Sequence, residues 1–126
     1  MPNEKIKPLI PTLREKKRYV SFEILSRENF DFNSVKKTII DEYKKLFGEK
    51  GIGDAGLIML QNKYFPENNN GIIRVSHKKV DSLKLALATI QKINEKEVVI
   101  KSVITSGILN KAEKSINKQL EIKQQA

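Results

Sequence analysis

The sequence predicts an α+β protein in two layers, a four-stranded antiparallel sheet carrying two helices on one face, with a further helix after the last strand. Three observations predict it. Four stretches place apolar residues at strand spacing, and two stretches between them place apolar residues at helix spacing. The connections are also short enough, once crossovers are right-handed, to leave few other topologies. A chain of 126 residues with 39% hydrophobic residues can bury one core but hardly two.

Residues 1–13 contain Pro2, Pro8 and Pro11, cannot sustain a helix, and read as an extended arm. One domain is expected over 14–122, with 123–126 a fraying tail. From Tyr19 to Leu25, Val20, Phe22 and Ile24 alternate with Tyr19, Ser21 and Glu23, the pattern of a strand with one apolar face. In "NSVKKTIIDEYKKLFG", Val35, Ile39, Tyr43, Leu46 and Phe47 share a helix face, with Asn33 or Ser34 as cap and Gly48 as terminator. "GEKGIGDAG" has four glycines in nine residues and reads as a mobile loop.

"LIMLQNKYF" is expected to be a strand, "PENNNG" a turn, and "GIIRVSH" the returning strand of a hairpin. "VDSLKLALATIQKIN" has helix spacing, with Leu83, Ala86, Leu87, Ile90 and Ile93 on one stripe. "EVVIKSVIT" is the fourth strand. From Gly107 onward Leu109, Ala112, Ile116 and Leu120 align as a terminal helix. The order βαββαβ is the split βαβ, ferredoxin-like plan that the RNA-recognition motif also uses. In that plan the first and third strands are central neighbours, so Tyr19, Ser21, Glu23, Ile72, Arg74 and Ser76 should share the open face.

Charge is the strongest functional signal. The net charge is +9. Residues 1–18 carry six positive and two negative charges and 72–94 carry five and one, whereas 19–48 balances five against five. Clustered positive charge points to a polyanion, most often nucleic acid. Arg14, Lys16, Lys17 and Arg18, at the lip of the first strand, can span several phosphates. Lys78 and Lys79 open the second helix, where they oppose its dipole, and so hint at an external anion. Lys111, Lys114 and Lys118 line one face of the terminal helix, and Thr105, Ser106 and Gly107 before it form either a helix cap or an anion cradle.

Arg74 stands among apolar neighbours and either pairs with Glu23 or contacts RNA or a partner protein. Tyr19 is the one aromatic side chain on the open face, and "GIIRVSH" has none, so the sequence does not predict a base-stacking reader of single strands. Ile72, Val99 and Val103 would make an apolar patch there, for a protein partner or for coverage by the terminal helix. His77 reads as structural.

Several classes are disfavoured. Without cysteine there is no disulfide framework or thiolate metal site, and one histidine cannot build a histidine metal cluster. No nucleophile is paired with a base, so no catalytic residue is assigned, and no carboxylate cluster has metal spacing. No apolar run reaches the roughly 20 residues that span a bilayer, so no membrane partner is expected and a cytoplasmic location is.

"PTLREKKRYVSFEIL", followed by "GIIRV", by Ala86–Leu87 and by Ser106–Gly107, resembles the archaeal ribonuclease P protein component 2 family, from about Pro11 to Lys114. The resemblance implies a non-catalytic protein subunit of an RNA-based endonuclease that removes the 5′ leader of precursor tRNA. It implies that the chain binds no cofactor, that magnesium is held by the catalytic RNA, and that the partners are this RNA, precursor tRNA, protein component 3 and, through the particle, other protein components. A homodimer within a heterotetramer is a further expectation from it. The alternatives are a stand-alone RNA-binding module and a ferredoxin-like ligand-binding regulatory domain.

Overall fold

Alternation from Val20 to Ile24 sets the first strand. In the computed structural model, which describes residues 16–109, β1 spans Lys17–Leu25, and Val20, Phe22 and Ile24 are all buried on one side. The extended arm, the terminal helix beyond Leu109 and the tail lie outside the described residues.

Helix α1 runs Phe32–Ala55 and starts earlier than expected. Asp31, rather than Asn33 or Ser34, is the cap: it accepts from the Ser34 backbone N–H at 3.2 Å and from the Ser34 hydroxyl at 2.6 Å. Gly48 interrupts the helix at φ 78°, ψ 177°, but does not end it. The glycine-rich stretch therefore forms a second helical segment, not a loop, closed by Gly56 in the left-handed region at φ 59°. Packing overrides propensity here, because Ala55 is fully buried and Ile52 packs on the core.

The second strand is shorter than expected. β2 is Ile58–Met59, after which Gln61–Lys63 makes a 3-10 turn. Pairing resumes only at Phe65, whose N–H donates to the Asn70 carbonyl at 2.9 Å. Pro66–Asn68 and the left-handed Asn69 (φ 54°) turn the chain into β3, Asn70–Ser76. A 3-10 turn at His77–Lys79 leads into α2, Val80–Thr89. The helix stops before Ile93: Asn94 and Glu95 take positive φ, 52° and 70°, and turn a small hairpin of β4, Lys92–Ile93, and β5, Lys96–Glu97. Ile90 and Ile93 are still buried, because a hairpin can present the same side chains to the core as a further helical turn. The last strand, β6, is Val99–Ser106.

The main sheet has the order β2-β3-β1-β6, antiparallel throughout, with β1 and β3 central. This is the expected two-layer βαββαβ plan. One face packs on both helices, joining Val20, Phe22, Ile24, Ile73, Val75 and Ile100 to Val35, Ile39, Tyr43, Leu83, Ala86 and Leu87 in one core. β1 and β6 slip register where Val103 has no partner, between the pairs Phe22–Ser102 and Ser21–Ile104. Among the described residues no helix is long and apolar enough to cross a membrane.

Candidate nucleic-acid interface

Five chain segments meet at one end of the sheet: the start of β1, the ends of β3 and β6, the end of α1 and the approach to α2. Their residues bring most of the predicted cations together. The His77 backbone N–H donates to the Lys16 carbonyl at 2.9 Å, and His77 Nδ1 lies 3.1 Å from the same oxygen. A carbonyl only accepts, so this contact holds the ring with its proton on Nδ1. His77 thus ties Lys16, which is exposed, to the turn that carries Lys78 and Lys79. The Ser76 hydroxyl caps that turn by accepting from the Lys78 N–H.

Lys17 and Arg18 are neighbours in sequence but lie on opposite faces of β1, since strand side chains alternate. They do not form one continuous cationic row. Lys17 pairs with Ser76 in register, and its Nζ stands 3.6 Å from where a Cβ on Gly56 would be. That places an ammonium beside the carbonyl end of α1, where positive charge is favoured. Arg18 Nη1 donates to the Lys17 carbonyl at 3.0 Å. The same nitrogen lies 3.4 Å from where a Gly107 Cβ would stand, so the guanidinium rests over the missing side chain. Gly56 and Gly107 were not readable as seats for these two cations, because nothing in sequence spacing joins them to β1.

Arg74 sits across from Tyr19 on β1 and from Ile58 on β2. Of the two readings of Arg74, the ion pair with Glu23 is not formed. Glu23 faces Asn70, four residues farther along β3, about 13 Å away at strand rise. Arg74 Nε is buried and has no hydrogen-bond partner among the described residues.

The apolar patch is also corrected. Ile72 is on the expected face but fully buried, packed by Tyr19, Leu60, Phe65 and Leu109 of its own chain. Val99 is 61% exposed beside Leu25 at the far end of that face, while Val103 occupies the register slip and is half-buried. The three do not make one surface. Arg14, Lys111, Lys114 and Lys118 lie outside the described residues. Among those described, no three carboxylate, histidine or cysteine groups come together in a way that could hold a metal ion.

The pieces "KKRY", "IIR" and "SG" therefore meet in space: Tyr19 is flanked by Arg74 and Ser106, and Arg18 lies over Gly107. A model of the Rpp14/Pop5 family matches residues 18–117, a span that begins in this cluster and continues past it. The chain belongs to the Rpp14/Pop5 family. This Rpp14/Pop5 chain is 34% identical over 115 residues to "Ribonuclease P protein component 2" of Pyrococcus abyssi, covering 91% of this chain and 96% of that one. It is 33% identical over 107 residues to the protein of the same name from Methanosarcina mazei, covering 85% and 89%. Its fold is similar to that of a chain in the cryo-EM structure of yeast ribonuclease MRP, with a TM-score of 0.60 over 89% of this chain and 94% of that chain. At 16% identity that likeness is one of fold.

Proposed function

We propose that this Rpp14/Pop5 protein is a non-catalytic subunit of ribonuclease P, the ribonucleoprotein endonuclease that frees the 5′ end of tRNA from its precursor. The convergence of Lys16, Lys17, Arg18, Arg74, Lys78 and Lys79 at one end of the sheet carries the reading, in a chain whose relatives are named as components of that enzyme. In this reading the cationic end grips the sugar-phosphate surface of the catalytic RNA. It reduces repulsion where RNA segments and precursor tRNA crowd together, so less metal is needed to hold the RNA fold. Cleavage and its magnesium belong to the RNA. Pairing with protein component 3, association of two copies within a larger assembly, and a cytoplasmic location are parts of the same proposal.

Reconstituting the particle with Lys16, Lys17, Arg18, Lys78 and Lys79 changed to Ala tests it. Half-maximal cleavage should then need more magnesium, with the rate at saturating magnesium largely retained. An unaltered magnesium requirement would count against the reading, and so would cleavage of precursor tRNA by the protein alone.

A further inference from the structure

We propose that Tyr19, Arg74 and Ile58 form a seat for one unpaired nucleotide, whose base lies on the Tyr19 ring while Arg74 holds its phosphate. The inference rests on the RNA-binding reading and adds to it the class of RNA element recognised at this point. The three residues stand in a single cross-strand row, Tyr19 on β1, Arg74 on β3 and Ile58 on β2. Side chains directly opposite in such a row are about 5 Å apart at Cβ, so the row is about 10 Å wide, enough for one base and its phosphate.

Each member has a property that this ligand explains. Tyr19 is half-buried and packs against the fully buried Ile72, which props the ring and limits its motion. Ile58 is 47% exposed on a two-residue edge strand, an apolar surface with nothing in the described fold to cover it. Arg74 has a buried Nε with no acceptor among the described residues, and its neighbours on the row and in the flanking pairs include no carboxylate. Nε itself is closed to an outside ligand, so a phosphate would be held through the Nη–H groups of the guanidinium.

β3 lacks the second aromatic side chain that base readers of this fold ordinarily use, and Phe65, on the same face, is packed against Ile72. A guanidinium plane can replace the missing ring, because bases pack on Arg as well as on aromatic rings. A base inside a duplex is stacked on both faces by its neighbours, so the seat selects for a nucleotide that is splayed out. The occupant is thus an unpaired residue of a loop, bulge or tail.

The test uses the full-length protein with two probes: a single-stranded RNA of about ten nucleotides carrying one 2-aminopurine, and a blunt-ended two-stranded duplex of equal phosphate number. Tyr19→Phe should bind both as the parent does and should quench the 2-aminopurine. Tyr19→Leu should lose roughly tenfold on the single strand, with the salt slope and duplex affinity unchanged. Arg74→Lys should lose affinity for the single strand despite keeping its charge, because an ammonium cannot fork a phosphate. Should Tyr19→Leu fail to fold, the quenching by Tyr19→Phe and the loss in Arg74→Lys carry the test. Equal losses on both RNAs, or an unquenched probe, would overturn the seat while leaving phosphate binding intact. A parent protein that binds neither RNA would overturn the RNA-binding reading and the seat with it.

Discussion

Gly71 has no side chain because two rings already fill its place. A Cβ there would stand 2.9 Å from Tyr64 Cδ1 and 3.0 Å from Phe22 Cζ, both in the core. Gly71→Ala should therefore cost about 1–3 kcal/mol in a urea titration, through forced displacement of rings and not through backbone strain. Tyr64 itself donates its hydroxyl to the Phe30 carbonyl at 2.6 Å. Burial first, and then the charges of Asp31 and Glu67, push its phenol up to about 12 from 10.0. In that interval the unfolded chain releases a proton that the folded chain keeps, so stability should fall as pH rises from 10 toward 12. Tyr64→Phe should flatten that portion of a melting-temperature profile, while lowering stability at neutral pH through the unpaired Phe30 carbonyl.

At the scale of elements, α1 depends on one side chain at its start and on one glycine in its middle. The Asp31 carboxyl is held below its ordinary value of 3.8, first by the Ser34 hydroxyl and then by the Ser34 N–H. Because its folded value is depressed, this cap contributes fully above the ordinary value and is lost as pH falls through and below it. Asp31→Ala should lower the melting temperature at neutral pH, and Asp31→Asn should restore most of it, since an amide oxygen can also cap. At Gly48 nothing stands within 4 Å of a built Cβ, yet φ 78°, ψ 177° is a conformation other residues avoid. Gly48→Ala should thus cost about 1–3 kcal/mol by strain alone, unless the two segments straighten into one helix. Circular dichroism would show that as a gain in helical signal.

This element also shows what sequence could and could not tell. The apolar face of α1 was legible as far as Val35, Ile39 and Tyr43, which are buried as their spacing implies, but Leu46, expected on the same face, is 40% exposed next to the break at Gly48. Continuation past Gly48 was not, because glycine content speaks for local preference while Ala55 answers to the core. The same blindness hid the β4–β5 hairpin, where Ile90 and Ile93 satisfy a helical stripe without being helical.

For the whole molecule, the βαββαβ order was legible from periodicity alone, and the chemical types at the cationic end were legible from composition. Their geometry was not. Whether Arg74 meets Glu23 or Tyr19 depends on the register of β3 against β1, two strands with α1 and β2 between them in sequence, so no short turn joins them and alternation alone does not fix their register. The charge reading does make a molecule-wide prediction. Replacing Lys16, Lys78 and Lys79 by Ala should flatten the log–log dependence of RNA affinity on salt by about 0.7–0.9 for each phosphate no longer neutralised. A slope unchanged in a filter-binding series would remove those three from the interface.

The slip at Val103 has a consequence for the chain before it meets its partners. Among the described residues β6 borders the sheet, and its eight residues would otherwise offer a long ruled margin to any passing extended polypeptide. The extra residue coils that margin, and the exposed Lys101 places a cation on it. Such a margin is a poorer template for edge-to-edge pairing with another copy than a flat, uncharged one.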